Sequence, residues 1–213
     1  MKRRIQAVLL SAFALLSTKV FAADGSSFKP PKGSQVAIVV FEDLECPSCA
    51  RTYPLVFQTA SQHQVSVVLH DYPIPKHFWS YQAALWARFF DTNSEKIGND
   101  FRGYIYQNQP SITRDNLQQF VKKFAEDHHI ALPFAWDPEG KLKAKVDADY
   151  NLGQRIGVNQ TPTVFVVTNA SWQQLDDPAK LDETVVQMKK QAGPAHAPAP
   201  AKKAPAKTAK KTS

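Results

Sequence analysis

The chain has no apolar run long enough to cross a bilayer. The longest candidate lies between Arg4 and Lys19, which are separated by 14 residues. A spanning helix needs about 20, so no permanent anchor is expected there. Cysteine is scarce: the 213 residues contain two, both within Cys46-Pro47-Ser48-Cys49. None lies near residue 22, which excludes a lipid-anchored lipoprotein. Internal repeats are absent. So are acidic residues from the last 21 positions, where five lysines stand among alanine and proline. The composition, 43% hydrophobic and 21% charged, excludes a fibrous or wholly disordered protein. The length suits one domain, or one domain carrying an insertion.

The net charge of +7 is uneven. Lys2, Arg3, Arg4 and Lys19 carry +4, and the five tail lysines carry +5, which leaves −2 for everything between. The basicity therefore says little about the folded part. At the N-terminus the basic residues precede an apolar stretch from Ile5 to Leu16, and Val20-Phe21-Ala22 ends in a small residue. Residues 1–22 read as an export signal, placing the mature protein, from about Ala23, in the periplasm or another extracytoplasmic compartment. The tail, 193–213, has too little apolar surface to order itself and is expected to be disordered. It resembles nucleic-acid-binding tails, but export favours an anionic envelope surface as partner, with no nucleic acid involved. A plain solubilising extension is the simpler reading.

Exported proteins use cysteines mainly for disulfides, yet this pair would make a poor staple. In the chain-entropy account the gain grows with the loop closed, and this loop is nearly the shortest possible. A reactive bridge is the better reading. Residues 36–41, Val-Ala-Ile-Val-Val-Phe, form a continuous apolar, β-branched run, the pattern of a strand buried on both faces. After the cysteines, Leu55, Val56 and Ala60 continue at helical spacing, with Pro54 as a kink. Cys46 thus lies at a strand-to-helix junction. There the unpaired N–H groups and the helix dipole favour a thiolate, the form that attacks disulfides. This predicts an exposed, low-pKa Cys46. Cys49, one turn on, should be more buried and placed to resolve a mixed disulfide.

Further along, residues 65–70 read as a second strand, and Pro73 and Pro75 break the chain before a long helical region. Tyr81, Leu85 and Phe89 recur every four residues. Leu117, Phe120, Val121 and Phe124 follow helical spacing, with Thr113 as N-cap. Leu142, Val146 and Tyr150 mark another helix. Residues 163–167 form a strand, and a last helix begins at Asp177-Pro178 and buries Leu181, Val185 and Met188.

At this point the chain resembles the DsbA-like thioredoxin-fold oxidoreductases. Residues 41–49, Phe-Glu-Asp-Leu-Glu-Cys-Pro-Ser-Cys, are similar to one signature of that family, and Gly157 to Val167 to another. Asp71-Tyr72-Pro73-Ile74-Pro75-Lys76-His77 resembles the entry to its helical insertion. The likeness spans roughly residues 35–191, with Pro162 of Thr-Pro-Thr following Cys46 by 116 positions. It implies an α/β thioredoxin fold over 23–192 with a helical insertion at about 78–156. It also implies a cis Thr161–Pro162 bond packed against Cys46, where Thr161 offers main-chain groups to an extended substrate.

The implied activity is thiol–disulfide exchange, as an oxidase of exported cysteine-containing proteins. Cys46 and Cys49 would be the catalytic pair, and Pro47 and Ser48 would tune its potential. No cofactor is needed beyond the redox-active disulfide, which a membrane quinone-linked partner would renew. A reductase or isomerase is the alternative within the class. Outside it stand a soft-metal module, for which the sequence offers no further ligands at zinc spacing, and a peptide-binding module. Two departures from the family pattern stand out. Many relatives carry a buried acid six residues before the first cysteine, where this chain has Val40; Glu42, Asp43 and Glu45 are the nearby acids. Many strongly oxidising relatives carry histidine where this chain has Ser48. His77 could line the groove or start a helix. His128-His129 reads as a surface pair, and Trp79, Trp86, Trp136 and Trp172 as core and groove-rim residues.

Overall fold

In the computed structural model, which describes residues 28–135 and 137–193, the apolar run becomes a central strand, β1 (Val36–Glu42), buried at every position. β2 (Ser66–Asp71) pairs with it in parallel and β3 (Thr163–Thr168) antiparallel. β4 (Trp172–Gln174) extends the sheet beyond β3, giving the order β2-β1-β3-β4. All three residues of β4 are exposed and only Trp172 is apolar, so the strand offers no alternating pattern to read in advance. α1 (Pro47–His63) follows β1, and α6 (Leu181–Ala192) follows β4. Between β2 and β3 lie α2 (Ser80–Asp91), α3 (Glu95–Asn108), α4 (Leu117–Asp127) and α5 (Lys141–Ile156).

The alternation of side chains along β1 divides the core. Val36, Ile38 and Val40 face α1 and α6, packing with Val56, Val185 and Met188. Ala37, Val39 and Phe41 face the other way, onto Tyr72, Phe165 and Leu152 of α5. A third core lies among α2, α3 and α4, built on Trp86, Phe90, Phe101, Ile105, Val121 and Phe124. Leu44, Cys46 and Cys49 belong to this third core. The turn after β1 is therefore where the helical region meets the sheet.

Three local expectations need correction. Thr113 does not cap α4; Asn116 holds the N-cap position, and its side-chain oxygen accepts the Thr113 N–H at 2.6 Å. Tyr81 is 38% exposed, and its hydroxyl donates to Asp147. The buried stripe of α2 runs instead through Ala83, Trp86, Ala87 and Phe90, an i, i+3, i+4, i+7 set. Asp177 does accept from the Ala179 N–H, but it caps a 3-10 turn (Pro178–Lys180) that leads into α6. Trp79 and Trp86 are buried and Trp172 is exposed. The export signal at 1–22, Trp136, and the tail from 194 onward lie outside the described residues.

Candidate thiol site

Cys46 is the N-cap residue of α1, with extended backbone and Pro47 at the first helical position. Proline suits that position because the N–H it lacks would have been unpaired anyway. No side chain caps this end of the helix, so free N–H groups and the positive end of the dipole face the Cys46 sulfur. The Thr161–Pro162 bond is cis, and the Cys46 thiol donates to the Thr161 carbonyl at 3.3 Å. Cys46 is 8% exposed and Cys49 2%. The order is as expected, but Cys46 is more enclosed than an exposed nucleophile, because the cis-proline loop and the third core close over it. The two sulfurs are not bonded to each other in this structure.

The two thiols are driven apart. Hydrogen bonding from the Cys49 thiol lowers the Cys46 pKa to about 5 against the pull of burial, with help from Thr161 and the N–H groups of Cys49 and Ser48. Burial pushes Cys49 well above the ordinary thiol range, and its hydrogen bond to Cys46 and the charge of Cys46 add to this. The Asp43 N–H reaches the Cys49 sulfur at 3.5 Å.

The three nearby acids separate by position. Asp43 is a clamp: its carboxylate accepts from the N–H groups of Glu45 and Ile74, at 2.7 and 2.6 Å, and from the Ser80 hydroxyl at 3.1 Å. It also pairs with His77 Nδ1 at 2.8 Å, which places His77 behind the site. Glu45 accepts from the N–H groups of Trp79 and Ser80, capping the start of α2. Glu42 alone turns toward Cys49. It ends β1 on the same face as Val40, two residues along the strand, and it is 3% exposed. Its carboxylate lies 3.1 Å from Arg102 Nε and accepts from the Tyr106 hydroxyl at 3.0 Å. Burial raises its pKa to about 7; Arg102 pulls it down and Asp71 pushes it up. Glu42 and Cys49 line one cavity of about 10 Å³, with Thr52 and Pro162, the space of a single water.

Arg102 is itself 1% exposed and is held by Asp91 at 2.7 Å and Asp71 at 3.8 Å. Arg88 adds contacts to Asp71, Asp91 and Asp149. Gly98 has to be glycine here, because a Cβ would meet the Asp91 carboxylate at 1.7 Å. The network ties α2, α3 and α5 to β1 and β2. Neither Arg102 nor Tyr106 was singled out from the sequence; the only available sign was a charged residue between the apolar Phe101 and Ile105.

On its open side the site adjoins a groove of about 470 Å³, lined by Ser48, Arg51, Leu55, Thr161, Pro162 and Leu175 among others. Pro47 and Ser48 occupy the first turn of α1. The two histidines at 128 and 129 do not come together as a site: His128 stacks on Phe124, while His129 has left-handed backbone.

A Cys-x-x-Cys at the helix end of a central strand, facing a cis-proline loop, on a sheet interrupted by helices between β2 and β3, defines a thioredoxin-fold protein of the DsbA-like form. The chain belongs to the thioredoxin family: the family model of that description matches residues 32–185. No curated protein matches it at a significant level. Among solved structures it is similar to the thiol-disulfide exchange protein α-DsbA2 of Wolbachia pipientis, at 18% identity over 76% of this chain and 86% of that one, TM-score 0.58. It is also similar to α-DsbA1 of the same organism, at 13% identity, covering 77% and 90%, TM-score 0.62. A periplasmic thioredoxin-like protein of Salmonella enterica serovar Typhimurium gives 16% identity, 75% and 87%, TM-score 0.59. At these identities the likeness is one of fold.

Proposed function

We propose that this protein is an extracytoplasmic thiol–disulfide oxidoreductase that introduces disulfides into exported proteins. The observation that carries the reading is the placement of Cys46 at the uncapped N-terminus of a 17-residue helix, with Cys49 buried one turn behind it and its thiol hydrogen-bonded to the Cys46 sulfur. This arrangement stabilises a thiolate on one sulfur only. A pair whose reduced form is stabilised in this way is a strong oxidant. The thiol-disulfide exchange and periplasmic descriptions of the similar structures support the class and the compartment.

The cycle starts from the Cys46–Cys49 disulfide. A substrate thiolate attacks Cys46 Sγ; the new S–S bond forms as the Cys46–Cys49 bond breaks, and Cys49 leaves as a thiolate. Cys49 favours its protonated form, so it takes a proton, and Glu42 is the acid placed across the shared cavity to give it. A second substrate thiolate then attacks the substrate sulfur of the mixed disulfide and expels Cys46 as a stabilised thiolate. The substrate has lost two electrons, and the pair holds them as a dithiol. A membrane quinone-linked partner is the proposed sink. Thr161 offers its main-chain groups to the extended substrate, in the manner of an added strand.

The test is directional. Oxidised protein mixed with a reduced two-cysteine peptide should consume the peptide thiols to near completion, whereas the reduced protein should leave the peptide disulfide largely intact. The reverse preference would make the protein a reductase or isomerase.

A further inference from the structure

The pair lacks the histidine that would bring a positive charge between the cysteines, and Ser48 stands there instead. The structure brings a charge in from outside the motif. Arg51, exposed on the next turn of α1, donates through Nη2 to Ser48 Oγ at 2.9 Å. Among the described residues it forms no ion pair and is the one cation lining the groove beside Thr161 and Pro162, which Asp176 and Asp177 also line.

The polarity of that bond matters. A guanidinium has no acceptor, so Ser48 Oγ must accept, and its single proton is left for another acceptor. A helical serine ordinarily returns that proton to the carbonyl four residues back. Here that carbonyl belongs to Leu44 and accepts the Gln109 side-chain amide at 2.8 Å. The Cys46 sulfur, once a thiolate, is a charged acceptor in the same turn and so the stronger partner for that proton. We propose that Arg51 is a positioning residue for the exchange chemistry: it fixes the Ser48 hydroxyl so that its proton serves Cys46, and it adds a groove-wall charge that favours the thiolate. The proposal rests on Cys46 being the attacked sulfur, as in the function proposed above, but not on the absolute potential of the pair.

The experiment is a mutant cycle on the full chain with Arg51→Met, Ser48→Ala and both together, plus Arg51→Lys. Its readouts are thiolate absorbance of the reduced protein against pH and the equilibrium with glutathione. Arg51→Met should raise the Cys46 pKa by about half a unit and shift the glutathione equilibrium about threefold toward the protein disulfide, in the range of a partly exposed charge. Ser48→Ala should shift both in the same sense, but by clearly less in the Arg51→Met background than alone. Arg51→Lys should restore only the part of the effect that added salt removes. The melting temperature of the oxidised form should not change, since a merely structural role would appear there. Equal Ser48→Ala shifts in both backgrounds, or an Arg51→Met protein with unchanged pKa and equilibrium, would overturn the proposal. A wild-type potential near the reducing end would instead contradict the oxidase reading while leaving these differences intact.

Discussion

Cys46 and Cys49 are three residues apart on one helix, yet one faces a groove and the other a wall of buried acid, phenol and guanidinium. On the groove side the neighbours of Cys46 include hydrogen-bond donors, the free N–H groups of α1 and the Cys49 thiol. On the wall side Cys49 meets a low-dielectric interior and the carboxyl of Glu42, which disfavour a negative sulfur. The chemistry of the two groups is identical; the surroundings give them opposite protonation. What sets them apart is less the Cys-Pro-Ser-Cys motif than the depth at which the helix places each residue.

The sharpest way to break this comparison is to remove each sulfur in turn. Cys49→Ser, given a substrate disulfide, should accumulate mixed disulfides, because the Cys46 thiolate still attacks and expels a substrate thiolate while no Cys49 remains to resolve the product. Cys46→Ser should accumulate none, and gel mobility with and without reductant would show it. The opposite pattern would exchange the two roles.

The wall itself comes next. Arg102→Met leaves Glu42, Asp91 and Asp71 without their shared counter-charge in a buried setting, and breaking such a pair costs about 3–5 kcal/mol. Denaturant unfolding should show a loss of that order. A loss below about 1 kcal/mol would mean that Arg88 or water compensates.

A smaller and more specific effect is expected of Glu42→Gln, which keeps the shape and a partner for Tyr106 but cannot transfer a proton. The release of Cys49 in single-turnover exchange should slow about tenfold at neutral pH, a modest share of the 10²–10⁴ range of general acid–base catalysis. The inflection of the rate near pH 7, set by the raised pKa of Glu42, should disappear. A profile that keeps this inflection would remove Glu42 from the proton path.

The smallest effect is a difference in melting temperature. The Cys46 pKa falls from 9.0 to about 5 in the folded dithiol form, so its thiolate stabilises that form fully above pH 9. The contribution is lost as pH falls toward 5. Glu42 runs the other way: raised from 4.5 to about 7, it stabilises the fold below pH 4.5, and that contribution is lost as pH rises through 7. Glu42 is present in both redox forms, so the reduced-minus-oxidised melting temperature isolates the cysteines. It should rise by several degrees between pH 5 and pH 9, because only the reduced form carries the stabilised thiolate and solvent in the adjoining groove screens much of its gain. A flat difference would contradict a stabilised Cys46 thiolate.

The groove side was readable in the sequence and the wall side was not, for a physical reason. The strand at 36–41, the helix after Cys46 and the Thr-Pro-Thr loop are local patterns, and local patterns survive in one dimension. Glu42, Arg102 and Tyr106 meet across 60 and 64 positions, and no periodicity in either segment announces the meeting. Glu42 could be counted among three nearby acids, but choosing it required the register of β1, which turns Asp43 and Glu45 toward the 74–80 segment. Tyr81 misled because its four-residue spacing is helical, although the buried stripe of α2 lies on another face. The short exposed β4 had no pattern to offer.

In the proposed function these opposed surroundings favour the reduced pair and so make the disulfide an oxidant. Equilibrating the protein with defined ratios of reduced and oxidised glutathione measures that preference. Thioredoxin-fold pairs span about −270 mV at the reducing extreme to about −120 mV at the oxidising one. A potential in the oxidising half of that range is predicted; a value near −270 mV would contradict the account.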